Sequence, residues 1–172
     1  MGLILGGLIT VVATAPLSSM ALTSIIGLTG VPMGIGALAV FGSSFMNYVF
    51  FSKMKFGDKK DTISVAIEPL TQSDIISANP IPVYVTNFIG GAMSGIIVAL
   101  LGVKVSTPGL ATPIAGFAVS VAENGMTGLM AAGGCMVVSI LGGFIGYAIF
   151  KNTKIKTAAE IRGTKTVEEV AA

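Results

Sequence analysis

At 172 residues with only 10 % charged side chains, a net charge of +2 and a mean hydropathy of +0.90, the chain is too apolar to cover a soluble core of its size with polar surface. Its basic residues gather at two places beside apolar runs instead of along one face, which gives no grounds for a nucleic-acid partner. A single cysteine, Cys135, and the absence of histidine exclude an internal disulfide, triad chemistry and a phosphohistidine carried on this chain, and they leave no basis for a metal cage or a cofactor. The apolar runs therefore read as bilayer crossings of about 20 residues each.

The first run, residues 2–27, begins directly after Met1 without a basic leader region, so a cleavable signal peptide is not expected. Pro16 predicts a kink, and Thr14, Ser18 and Ser19 stand beside it, where their hydroxyls serve carbonyls freed by the bend or line a path. Residues 28–32 (LTGVP) read as a turn and 33–51 as a second span, rich in small residues and closing on Tyr48, Phe50 and Phe51. The loop at 53–61, KMKFGDKKD, carries four lysines, with Asp58 and Asp61 solvated among them. The positive-inside rule puts this loop, and with it the amino end, in the cytoplasm.

Residues 62–79 are too polar for a simple span. Within 66–84, AIEPLTQSDIISANPIPVY, two acids, Glu68 and Asp74, sit among hydroxyls and amides and between three prolines. Pro80 or Pro82 opens a third span reaching Val103, with Gly90, Gly91 and Gly95 on a small-residue face. Asn87 lies inside it and must point at another helix or a cavity, since lipid leaves its amide unpaired. Residues 105–123 are apolar but punctuated by Pro108, Gly109 and Pro113, which predicts a re-entrant half-helix. Asn124 and Gly125 lead into the last span, 126–150. The polar tail at 151–172 is expected to be partly disordered, with 157–170 as a candidate exposed helix. An even number of crossings between the two basic ends places both termini in the cytoplasm.

The fold class is therefore all-α: a polytopic membrane protein with about four transmembrane helices plus re-entrant segments, a membrane domain at 1–150 and a cytoplasmic tail at 151–172. Gly34, Ile35 and Gly36 lack the preceding strand that a nucleotide fingerprint needs, and Cys135 reads as a packing residue. Glu68 is either a helix-terminal carboxylate in a cytoplasmic loop or a sheltered acceptor for the hydroxyls of a sugar-like ligand. Asp74, Asn79 and Asn87 complete the candidate set, with cap and turn roles open for Asp74 and Asn79.

AIEPL, residues 66–70, is similar to the glycine-isoleucine-threonine-glutamate-proline motif of the membrane enzyme IIC subunits of bacterial sugar phosphotransferase systems. The wider text at 67–117, with TAPLSSMALTSIIGLTGVPMGIGA before it, resembles the second enzyme-IIC-type family, which includes proteins named as toxin-gene regulators of the perfringolysin-regulator kind. Glu68 and Pro69 match the sugar-contacting motif, the motif's threonine is absent, and the enzyme IIC histidine has no counterpart. The resemblance implies a permease subunit in the bacterial plasma membrane, binding a sugar or similar small polar solute. It also implies cytoplasmic IIA and IIB partners and a homodimer, and the chain resembles a carboxy-terminal half. The alternative is a non-transporting membrane regulator on the same scaffold.

Overall fold

In the computed structural model, residues 35–67, 75, 78–104 and 113–163 are described. Four helices organise them: α1 (Ile35–Lys53), α2 (Lys59–Ile67), α3 (Pro80–Leu101) and α4 (Pro113–Phe150). No strand occurs among the described residues, and residues 158–163 add one short helical stretch.

The chain punctuation explains the boundaries. At the end of α1, Lys55 takes a left-handed conformation with φ 54°. The Phe56 N–H then donates to the Phe51 carbonyl at 3.1 Å and the Lys55 N–H to the Ser52 carbonyl at 3.3 Å. That pair of bonds is a Schellman motif, and its apolar clasp is the Phe51–Phe56 ring contact at 4.9 Å. α3 ends in the same way: Gly102 has φ 61°, its N–H donates to Ala99, and Val103 N–H donates to Val98. Val98 and Val103, which close that clasp, are both fully buried.

Asp58 starts α2 as an N-cap, its carboxylate accepting the Asp61 N–H at 2.7 Å. Pro80 occupies the first turn of α3, where its missing N–H leaves no bond unmade. α4 is two helices joined at Gly125, whose φ 55° and ψ −127° are non-helical. In a straight helix Ser120 and Gly128 would stand about 12 Å apart along the axis. Here a Cβ on Gly128 would lie 2.1 Å from the Ser120 carbonyl oxygen, so the chain folds back on itself at Gly125.

Two apolar clusters fix the helix directions. Leu38 near the start of α1 packs with Val98 and Val103 at the end of α3 and with Ala131, Ala132 and Cys135 of α4. Phe50, Phe51 and Phe56, at the other end of α1, pack with Val83 at the start of α3, and Tyr147 and Phe150 of α4 join them. α1 and α3 are therefore antiparallel, and the long arm of α4 runs parallel to α1.

The short arm, 113–124, stands beside α1 and the end of α3. Phe117 stacks on Phe41 with centroids 5.1 Å apart, and the Asn124 side chain bonds both the N–H and the carbonyl of Lys104. Its 12 residues reach only about 18 Å, short of a hydrocarbon core about 30 Å thick. By length and composition, α3 and the merged α4 each pass the requirement for crossing a bilayer.

The carboxy-terminal segment differs from expectation. Instead of a disordered tail, residues 154–163 dock on the α1 end: Ile155, Ala158 and Ile161 are buried with Phe50 and Phe56, and Ala158 N–H donates to the Phe56 carbonyl at 2.9 Å. Arg162 pairs with Asp61, so that carboxylate is not simply solvated among the lysines.

Candidate functional site

Small residues bring α1, α3 and α4 into close approach, and polar side chains are buried along that seam. A Cβ on Gly142 would stand 3.1 Å from the Gly90 Cα, and one on Gly146 would stand 2.3 Å from the Thr86 hydroxyl oxygen. Backbones this close leave no room for lipid or for bulky side chains. The buried polar residues along the seam include Ser43, Asn47, Thr86, Asn87, Ser94 and Ser139.

Asn87 is 4 % exposed and faces another helix, as the sequence requires. Its Nδ2 donates to the Val83 carbonyl one turn earlier at 2.9 Å and to Oδ1 of Asn47, on α1, at 3.4 Å. Further along, the Ser94 and Ser139 hydroxyls lie 3.0 Å apart across α3 and α4, and the Cys135 thiol donates to the Ser94 carbonyl at 3.6 Å. Thr86 turns its hydroxyl back onto the Pro82 carbonyl at 2.7 Å.

Asn79 is also buried, but its amide serves the backbone. Nδ2 donates to the carbonyls of Ile75 and Lys156, and Oδ1 accepts the Lys156 N–H at 2.7 Å. The side chain clips the carboxy-terminal segment to the entrance of α3, which also explains why α3 has no side-chain N-cap bond. Glu68 and Asp74 lie outside the described residues, as do the whole of the first predicted span and Pro108. Of the four candidates, Asn79 and Asn87 thus share α3, at its entrance and two turns inside.

Sequence reasoning passed over Asn47. The signal was present, since an amide in an apolar span needs a partner for the same reason as Asn87. It also used the lysines only as orientation marks, whereas four of them, from Lys53 to Lys154, converge on a cavity of about 370 Å³ at the α1 and α4 ends. This cavity is separate from the polar seam.

The chain belongs to the phosphotransferase system EIIC family, whose family model matches residues 1–162. Membership and the long apolar helices make it a membrane protein with a permease-type role in a phosphotransferase system, working with that system's other components. No curated protein and no solved structure matches the chain.

Proposed function

We propose that the chain forms part of a sugar-translocating permease, multi-pass in the bacterial plasma membrane with both termini cytoplasmic, and that it binds a sugar or similar small polar solute. Glu68 accepts hydroxyl hydrogen bonds, Asp74 flanks it, and the Asn47–Asn87 pair offers amide donors and acceptors deeper between α1 and α3. Asn79 holds the entrance of α3 in place instead of touching solute. Phosphoryl transfer falls to cytoplasmic IIA and IIB proteins, because this chain offers no histidine and its cysteine is buried. A homodimer completes the assembly.

The observation that carries this reading is the pair of buried asparagines on facing helices in a chain of the EIIC family. Amides at such depth are costly unless they serve packing specificity or a polar path. The half-length arm of α4, turned back at Gly125, supports the same reading, since broken helices bring backbone polar groups to solute sites inside membranes.

The test is binding of labelled hexoses and hexitols to the full chain in lipid nanodiscs. Loss of charge-assisted hydrogen bonds worth about 1.5–3 kcal/mol predicts that Glu68→Gln weakens binding roughly ten- to hundredfold. Equal affinity in wild type and variant removes Glu68 from the site. A deletion strain with altered gene expression and unchanged uptake of the whole panel supports the regulator instead.

A further inference from the structure

The lysine cavity is a built feature of the fold. Lys53 and Lys55 come from the end of α1, Lys151 from just beyond α4, and Lys154 from the docked carboxy-terminal segment, with Tyr147 and Glu160 completing its polar wall. Each wall is pinned. The Schellman turn fixes Lys55, and buried Ile155 and Ala158 hold the strand of chain that carries Lys154. Among the described residues the salt bridge joins Asp61 and Arg162, and none of these four lysines takes part in it. The one carboxylate in the wall, Glu160, already accepts the Thr157 N–H at 2.7 Å and the Thr157 hydroxyl at 3.0 Å. Four lysines thus line a cavity whose single acid is bonded to Thr157 and attracted by Lys154, so positive charge is in excess there.

What lies below the cavity narrows the choice of anion. Lys53 Nζ stands 5.6 Å above the centroid of the Phe144 ring, and Phe144 is itself exposed. Phe144 and Tyr147 are one turn apart on α4, and Lys151 follows on the same side. In the opposite direction the exposed residues Leu141 and Val137 continue from Phe144 at helical spacing. A cationic cup therefore adjoins an exposed apolar ridge that continues along α4 away from its lysine-bearing end. A free phosphate would use only the cup, whereas a lipid uses both parts.

We propose that the pocket formed by Lys53, Lys55, Tyr147, Lys151 and Lys154 binds the phosphate headgroup of an anionic glycerophospholipid whose acyl chains lie along Phe144, Leu141 and Val137. Basic pockets at helix ends on the side of the anionic leaflet recognise headgroups through such lysines, each worth about 1 kcal/mol. The site is distinct from the polar seam, so it stands or falls independently of solute binding by Glu68 and Asn87.

The experiment uses the full chain purified in zwitterionic detergent, with native mass spectrometry reading the retention of added phosphatidylglycerol and phosphatidylcholine. The expected result is selective retention of phosphatidylglycerol, unaffected by millimolar inorganic phosphate and weakened on the order of thirty-fold in Lys53→Gln/Lys151→Gln. The thermal midpoint without lipid checks that the variant folds. Because Lys53 also packs over Phe144, Lys151→Gln/Lys154→Gln serves as the second variant should the first lose its fold.

Equal retention of phosphatidylglycerol by wild type and folded variant overturns the proposal, as does equal retention of the two lipids. Release by inorganic phosphate reassigns the cup to a free anion. A shift in oligomeric state in the variants without any change in lipid retention reassigns the ridge to a second copy of the chain.

Discussion

The Asn47–Asn87 contact is long at 3.4 Å, while Asn87 is held firmly by its own helix through the Val83 carbonyl at 2.9 Å. The interhelical share of the stabilisation is therefore small. Side-chain hydrogen bonds between membrane helices average about 0.6 kcal/mol and reach about 1.7. A double-mutant cycle of Asn47→Leu and Asn87→Leu, followed by unfolding in detergent, is expected to give a coupling within that range. Coupling indistinguishable from zero would leave the pair without a structural role. Glycines along the seam offer a sharper contrast, because what a new methyl meets differs from one to the next. At Gly90 it meets the Met46 sulfur, which belongs to a flexible side chain, whereas at Gly128 it meets the Ser120 carbonyl of the backbone. Gly128→Ala is expected to cost about 1–3 kcal/mol, and Gly90→Ala less. The reverse order in thermal unfolding contradicts the fold-back at Gly125.

At the scale of elements, the two Schellman turns carry opposite residues in the same left-handed position. Gly102 suits it, and nothing lies within 4 Å of where its Cβ would be, so the glycine is there for conformation alone. Lys55 pays the left-handed penalty of about 1–2 kcal/mol. Gly102→Ala is thus expected to lower stability by about 1 kcal/mol and Lys55→Gly to raise it by a similar amount, both read as shifts in the unfolding midpoint. Lys55→Gly should also weaken phosphatidylglycerol retention, which separates its two effects. These ends were legible in the sequence to within a few residues: the segment read at 33–51 is the helix Ile35–Lys53, and the one read from Pro80 or Pro82 to Val103 is the helix Pro80–Leu101. The break read at Asn124 and Gly125 is the non-helical Gly125. Gly, Pro and Lys punctuation act locally, so local text reveals them. Asn79 was less legible because its partner, Lys156, is 77 residues away and no nearby residue announces it. Docking of residues 154–163 was hidden for a similar reason, since Ile155, Ala158 and Ile161 are a thin apolar stripe in a polar segment whose receiving surface, Phe50 and Phe56, belongs to another element.

For the whole molecule, the docked segment ties the basic ends together, and its short helix starts with a reciprocal cap. Thr157 N–H donates to Glu160, and Glu160 N–H donates back to the Thr157 hydroxyl at 3.4 Å. The Thr157 N–H, and after it the Thr157 hydroxyl, hold the Glu160 carboxyl below its ordinary range. A carboxyl lowered on folding stabilises fully above its unfolded pKa of about 4.3 and loses that contribution as pH falls through the lower folded value. Hydrogen-exchange protection at 158–163, corrected for intrinsic rates, should hold from neutral pH down to about pH 4 and fall below it. Glu160→Gln should flatten that dependence.

The same architecture makes a prediction about sidedness. Lys55 and Lys151 meet in one cavity, while Lys104 is bonded to Asn124 at the opposite end of the antiparallel pair. If α3 and the long arm of α4 each cross the bilayer once, the first two positions share a side and the third lies across from them. The positive-inside rule makes the cytoplasm the expected side for the lysine-rich ends. Cys135 is fully buried, so the native thiol stays silent as long as the fold is intact.

 Single cysteines placed at Lys55, Lys104 and Lys151 therefore report alone when intact cells are treated with a thiol reagent that does not cross the membrane. Only the one at Lys104 should react from outside, and those at Lys55 and Lys151 should react only after the membrane is opened. Labelling of Lys55 and Lys104 from the same side would mean that α3 does not cross, and opposite sides for Lys55 and Lys151 would break the pairing of the two basic ends that builds the lysine cavity.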